Sequence, residues 1–200
     1  MSLTRTMRFL IAGLVATIAM GAAVSSATAS TGASVTNGVT LAAANGSLTL
    51  AAGLNIICNV TLGLALQPSI AKSPGALIGN VLPSGTTSRI DNCNAGVTGT
   101  VLSGITVRYV SFIGNLPNIN AINGVSTDAA FELNIPSIGQ SCLYTGSVNA
   151  QFVRNTATGA ITNVGLASRN TLTAPAPCPS PGSLNGPMAV LAPQPVIQLI

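Results

Sequence analysis

Few side chains in this sequence could do chemistry, and their spacing limits what that chemistry would be. Ser69-Ile-Ala-Lys72 matches the S-x-x-K pattern in which a lysine amine activates a serine nucleophile. Here the motif lies among Pro68, Pro74 and Pro83 instead of opening a helix, and no S-D-N or K-T-G follows it. The 200 residues include no histidine and only three acids, Asp91, Asp128 and Glu132, so no Ser-His-Asp triad is available. Asp128 and Glu132 share a face if one strand carries both, but strand rise then separates them by about 13 Å. Glycoside hydrolysis needs two carboxyls about 5–10 Å apart, so the pair would need a bend to qualify. The acids read as turn caps or partners of single arginines. The sequence therefore points to no catalytic residue, no cofactor and no enzyme.

Cys58, Cys93, Cys142 and Cys178 are the other reactive groups. Metal sites draw cysteines in close pairs, often with histidine, and neither is present, so a metal centre is not expected. An even count in an exported chain favours two disulfides. Three pairings are open in principle. Cys58 with Cys93 and Cys142 with Cys178 is preferred, because the two gaps are similar and each closes a local unit of two strands and a loop.

The elements that must position these residues begin after a leader. Arg5 and Arg8 precede an apolar run over residues 9–24, and Ala27-Thr-Ala29 supplies a small-x-small cleavage pattern, so residues 1–29 read as a secretory signal peptide. Residues 30–200 would form the mature domain, secreted or held at the cell envelope, with no integral membrane span. Removing Arg5 and Arg8 from seven basic residues leaves five against three acids, a net charge of +2. Those five, Lys72, Arg89, Arg108, Arg154 and Arg169, are scattered singly, which argues against nucleic-acid binding. Solubility must come from Ser, Thr, Asn, Gln and Gly, a neutral surface poorly defended against self-association.

Apolar residues alternate along the mature chain with a period of two. Leu54, Ile56, Cys58, Val60, Leu62, Leu64 and Leu66 share one face, with a bulge expected near Gly63. Cys142, Tyr144, Val148 and Phe152 do the same, opposite Thr145, Ser147, Asn149 and Gln151. Further strands are expected at 35–41, 47–52, 97–102, 105–112, 129–135, 160–166 and 190–199. Turns are expected at Asn37-Gly38, Asn45-Gly46, Asn94-Ala-Gly96, Asn123-Gly124 and 155–159. Residues 67–89 and 174–187 are proline-rich and read as loops or edge-running segments. About nine strands with frequent turns predict an all-β fold, an antiparallel sandwich of Ig-like or Greek-key type, with a closed barrel as the alternative. An outer-membrane barrel is disfavoured, because only five Phe and Tyr follow the leader and such barrels carry aromatic girdles. Asn45-Gly-Ser47 and Asn59-Val-Thr61 match the glycosylation sequon, which matters only in a eukaryotic secretory pathway.

The order of these features resembles a family of small secreted bacterial proteins, common in actinobacteria and related to activators of alkane oxidation. The likeness rests on Leu54-Asn-Ile-Ile-Cys58-Asn-Val-Thr61, Arg89-Ile-Asp-Asn-Cys93, Leu116-Pro117, Cys142-Leu-Tyr144-Thr-Gly146-Ser-Val148 and a late Cys178 before a final strand. That family commonly has Trp after the Leu-Pro step, where this chain has Asn118. The resemblance implies an extracellular β-sandwich at the cell surface without enzymatic activity, associated in some relatives with growth on hydrophobic substrates. The function expected is thus that of a non-enzymatic surface or matrix protein, self-associating through sheet edges or adsorbing to apolar material. Residues 188–200 would be the candidate exchanging strand, against the plainer reading as a final core strand. The alternative is a module binding a small hydrophobic ligand or lipid between its sheets, in a pocket lined by Leu62, Leu64, Tyr109 and Phe112.

Overall fold

The computed structural model describes residues 32–36, 41–51, 55–115 and 118–199. The expected signal peptide, the Asn37-Gly38 turn, Leu54, the Leu116-Pro117 step and Ile200 lie outside them. The strands are β1 (Gly32–Thr36), β2 (Leu41–Ala51), β3 (Asn55–Leu66), β4 (Ser69–Ala71), β5 (Leu77–Val81), β6 (Arg89–Asp91) and β7 (Thr98–Val101). They continue as β8 (Thr106–Asn115), β9 (Asn118–Ile135), β10 (Gln140–Arg154), β11 (Ile161–Ala167), β12 (Leu172–Thr173), β13 (Ser183–Val190) and β14 (Val196–Leu199).

The fold is all-β and antiparallel, as the alternation requires, but its connections are not those of a Greek key. β5 runs along β3 from Leu66 to Leu64 and β6 continues along it from Thr61 to Asn59, so the two form one interrupted stave. β7 and β8 follow β9 in the same way, and β12 and β11 follow β10. Counting these as single staves gives the order β2, β3, β5/β6, β7/β8, β9, β10, β11/β12 and β13, each beside its successor in the chain. β13 then pairs with β2 through Leu184↔Leu50 and Val190↔Ala44. The sandwich is therefore joined along both sides into a closed meander of eight staves. A meander needs no crossover, because short turns join antiparallel neighbours directly.

The interior is apolar and the wall is wet. Ile56, Cys58, Val60, Leu64 and Leu66 of β3 are buried while Asn55, Ile57 and Asn59 are exposed, the alternation read from sequence. Asn149, Gln151, Asn163 and Asn185 face solvent on later strands, whereas a membrane-spanning barrel carries its apolar side chains outward. Among the described residues no helix is long and apolar enough to cross a membrane.

Each end of the barrel is closed differently. A small sheet ordered β14, β1, β4 sits at one end and buries Ala33, Ile70 and Ile197. Arg154 fastens it, its Nε donating to the Ile197 carbonyl at 3.1 Å. The other end carries both disulfides, Cys58–Cys93 and Cys142–Cys178, the preferred pairing. Cys93 lies in the turn between β6 and β7, and Cys178 in the loop between β12 and β13. Asn94 completes the first junction, accepting from Ile57 N–H at 3.0 Å and donating to the Asn55 carbonyl at 2.9 Å.

Several local expectations are corrected. Asn45-Gly46 and Asn123-Gly124 are not turns; they lie inside β2 and β9. Their glycines serve close approach: a Cβ on Gly46 would meet the Pro187 carbonyl oxygen at 2.2 Å, and one on Gly124 would meet Val107 at 2.8 Å. No bulge interrupts β3 at Gly63, where the register with β2 is continuous and a Cβ would strike Thr87. The proline-rich segments are partly strand: 67–89 contains β4 and β5, and 174–187 runs into β13. The strand expected over 190–199 is two, β13 and β14, split at Pro193 and Pro195, which supply no ladder donor.

Candidate functional site

The barrel interior is not filled. A cavity of about 90 Å³ lies between Val60 and Leu62 of β3, Val107 of β8, Ser126 and Ala129 of β9, and Val148 and Ala150 of β10. Residues on the far strands, including Leu166 and Leu184, complete its lining. Its cause lies in the β9–β10 pair. At one level Phe131 faces Tyr144, and at another Ile122 faces Phe152. Between them the paired positions are Gly124 with Ala150, Ser126 with Val148, and Ala129 with Gly146. Bulky side chains therefore plug two levels of the barrel and small ones leave the level between them open.

The cavity also lies behind a discontinuity in the wall. Val81 and Ile90, which bound the break between β5 and β6, line it, and so do Val101 and Ile105, which flank the break between β7 and β8. The breaks are braced by serines. Ser84 Oγ accepts from Val101 N–H at 2.9 Å, and Ser88 Oγ accepts from Gly63 N–H at 2.9 Å.

Ser126 is the polar residue of the lining, and its hydroxyl is committed outward, donating to Asp128 Oδ1 at 2.8 Å. Asp128 also accepts from Thr106 N–H at 2.9 Å and from Thr106 Oγ1 at 2.7 Å. Partial burial alone would raise this carboxyl, but the bonds from Thr106 and Ser126 outweigh it and hold Asp128 below the usual carboxylate range. A depressed folded value stabilises the fold above the unfolded pKa, and that contribution disappears as pH falls through the folded one. Asp128→Asn should cost about 1–2 kcal/mol near neutral pH, and the difference from the parent should shrink below about pH 4. Urea titrations at several pH values test this; a gap constant with pH would assign the loss to packing.

The residues singled out from the sequence are dispersed. Of the four proposed pocket residues, only Leu62 lines this cavity. Leu64 faces a smaller void of about 10 Å³, and Tyr109 and Phe112 face another of about 20 Å³ near Lys72. Lys72 Nζ lies 4.9 Å from the centre of the Phe112 ring, a cation–π contact, while Ser69 is paired with Ser34 across β4 and β1. Asp91 pairs with Arg89 at 2.9 Å, as expected of a single arginine partner, with both side chains exposed. Glu132 accepts from Ser141 Oγ, away from the Asp128 cluster. No group of three potential metal ligands occurs among the described residues.

Sequence reading missed Ser126, Ala129, Val148 and Ala150 as cavity residues. The available signal was the run of small residues from Gly124 to Ala130, but its meaning depended on what stood opposite. Comparisons with protein-family models, with curated proteins and with solved structures find no match to this chain.

Proposed function

We propose that this is an exported, non-enzymatic protein of the cell surface that takes a small apolar molecule into its barrel. The carrying observation is the interior cavity with its hydrocarbon lining. The one hydroxyl among its described lining residues is already engaged with Asp128, so a guest gains little from polar groups. An apolar void stays dry and is costly, about 2 kcal/mol at about 24 cal/mol per Å³, so an apolar guest that fills it recovers part of that. Two disulfides suit an oxidising compartment, and the resemblance to proteins associated with growth on hydrophobic substrates fits the same picture. Strand exchange finds less support: β14 has β1 on one side, and on the other Ile161 N–H donates to Pro195 and Ile197 N–H to Gly159.

Xenon, benzene and n-pentane are suitable probes. Each is expected to shift the amide resonances of Ala129, Phe131 and Val148, and Ala129→Leu should fill the space, abolish those shifts and stabilise the protein by up to about 2 kcal/mol. Unchanged spectra with all three probes would overturn the proposal.

A further inference from the structure

We infer that the outer wall carries a second site, for a neutral polyhydroxylated chain such as an oligosaccharide, in the groove that crosses β8 to β11. This groove measures about 390 Å³ and is lined by Ser111, Asn123, Asn149, Gln151 and Gly165, with Val110 at its edge. Ser111, Asn123, Gln151, Gly165 and Pro187 are successive partners across five strands, so the first four form one transverse row through the groove. Strand spacing makes that row about 14 Å long from β8 to β11.

Its polar groups are already oriented. Gln151 Nε2 donates to Asn123 Oδ1 at 3.2 Å, and Asn123 Nδ2 donates to Ser111 Oγ at 3.0 Å. This chain fixes both amides and leaves the serine hydroxyl proton, the second N–H of each amide and the Gln151 carbonyl directed to other partners. Asn149 adds a further exposed amide beside the row. Every such group serves a hydroxyl as donor or acceptor. Val110, 45% exposed, offers an apolar surface for the C–H face of a sugar ring.

Charge and backbone select the ligand class. Among the described residues the lining contains no charged side chain, so it offers nothing to an anionic or cationic chain. At the groove β9, β10 and β11 are each paired on both sides, so an extended peptide lying across them would find no sheet edge to join. The opening itself is due to Gly165. A Cβ there would meet nothing within 4 Å, so the position tolerates a side chain, and any large one would fill the groove.

The test is titration of the oxidised protein with cellohexaose and maltohexaose at millimolar concentration, followed by amide chemical shifts. A sulfated heparin hexasaccharide and a neutral Gly-Ser peptide serve as comparisons. Shifts confined to Ser111, Asn123, Asn149, Gln151 and Gly165 with a neutral glycan are expected. Gly165→Leu should weaken binding at least about tenfold, a difference of about 1.4 kcal/mol, while leaving the urea midpoint unchanged. No shift with either glycan, equal binding of the sulfated chain or the peptide, or binding that survives Gly165→Leu would each overturn the inference. The two linings share Ala150 and Leu166, but the groove is read at Ser111, Asn123, Asn149, Gln151 and Gly165 and the cavity at Ala129, Phe131 and Val148, so failure here leaves the xenon and hydrocarbon result untouched.

Discussion

Tyr144→Ala is expected to lower unfolding stability by about 3–5 kcal/mol, the range for truncating a buried aromatic. Tyr144 is fully buried and stacks on its cross-strand partner Phe131 with ring centroids 5.6 Å apart. Its hydroxyl donates to the Pro179 carbonyl at 3.0 Å, tying the loop between β12 and β13 to the barrel. Burial raises its phenol above the ordinary tyrosine value, so it stays a neutral donor across the working pH range. Tyr144→Phe keeps the ring and loses one hydrogen bond, a change worth about 1 kcal/mol. Urea unfolding followed by circular dichroism measures both, since the chain has no tryptophan to report. If the alanine variant lost no more than the phenylalanine variant, the ring would contribute nothing beyond its hydroxyl.

Removal of either disulfide should cost a comparable amount. The bridges span 35 and 36 residues, and for closed loops of that size chain entropy gives about 4 kcal/mol each. The native contacts should decide how the two differ. Cys58→Ser with Cys93→Ser leaves the Asn94 bonds to Ile57 and Asn55 to hold the β6–β7 turn against β3. Cys142→Ser with Cys178→Ser leaves the Tyr144 bond to Pro179 as a tie on the other loop. Both double variants are expected to unfold at lower urea, and combining the second with Tyr144→Phe should cost more than the sum, because both ties act on one loop. Strict additivity would show that the two ties act independently.

Both bridges fasten the barrel end opposite the small sheet, and this arrangement relates to how much of the fold was legible. The alternation of β3 and β10 shows which face of each strand is buried, because side chains of a strand point to opposite sides with a period of two. The cysteine spacing favoured the pairing for a related reason: Cys58 and Cys142 lie on inward faces near the starts of long strands, and Cys93 and Cys178 lie in the loops that come back to them. Asn94-Ala-Gly96 and the 155–159 loop were recognisable as turns, and the structure places them at stave junctions.

The Asn-Gly pairs misled because one residue type serves two physical ends. Glycine permits a turn's backbone, and it also lets another chain pass close by; at Gly46 and Gly124 the second use applies, set by Pro187 and Val107 far along the sequence. The closure of the barrel was likewise beyond local reading, since β2 and β13 are distant in the chain and only the accumulated twist and register bring them together.

By itself, then, the sequence determined strand character, the buried faces of β3 and β10 and the scarcity of catalytic groups, and it favoured the disulfide pairing found, all carried by residue type and local period. Tertiary structure alone decided closure, the cavity and the outer groove. Those depend on cross-strand register: Ala129 and Ala150 make a void only because small residues meet small residues on adjacent strands, and Gly165 opens a groove only because Gln151 and Pro187 stand on either side of it.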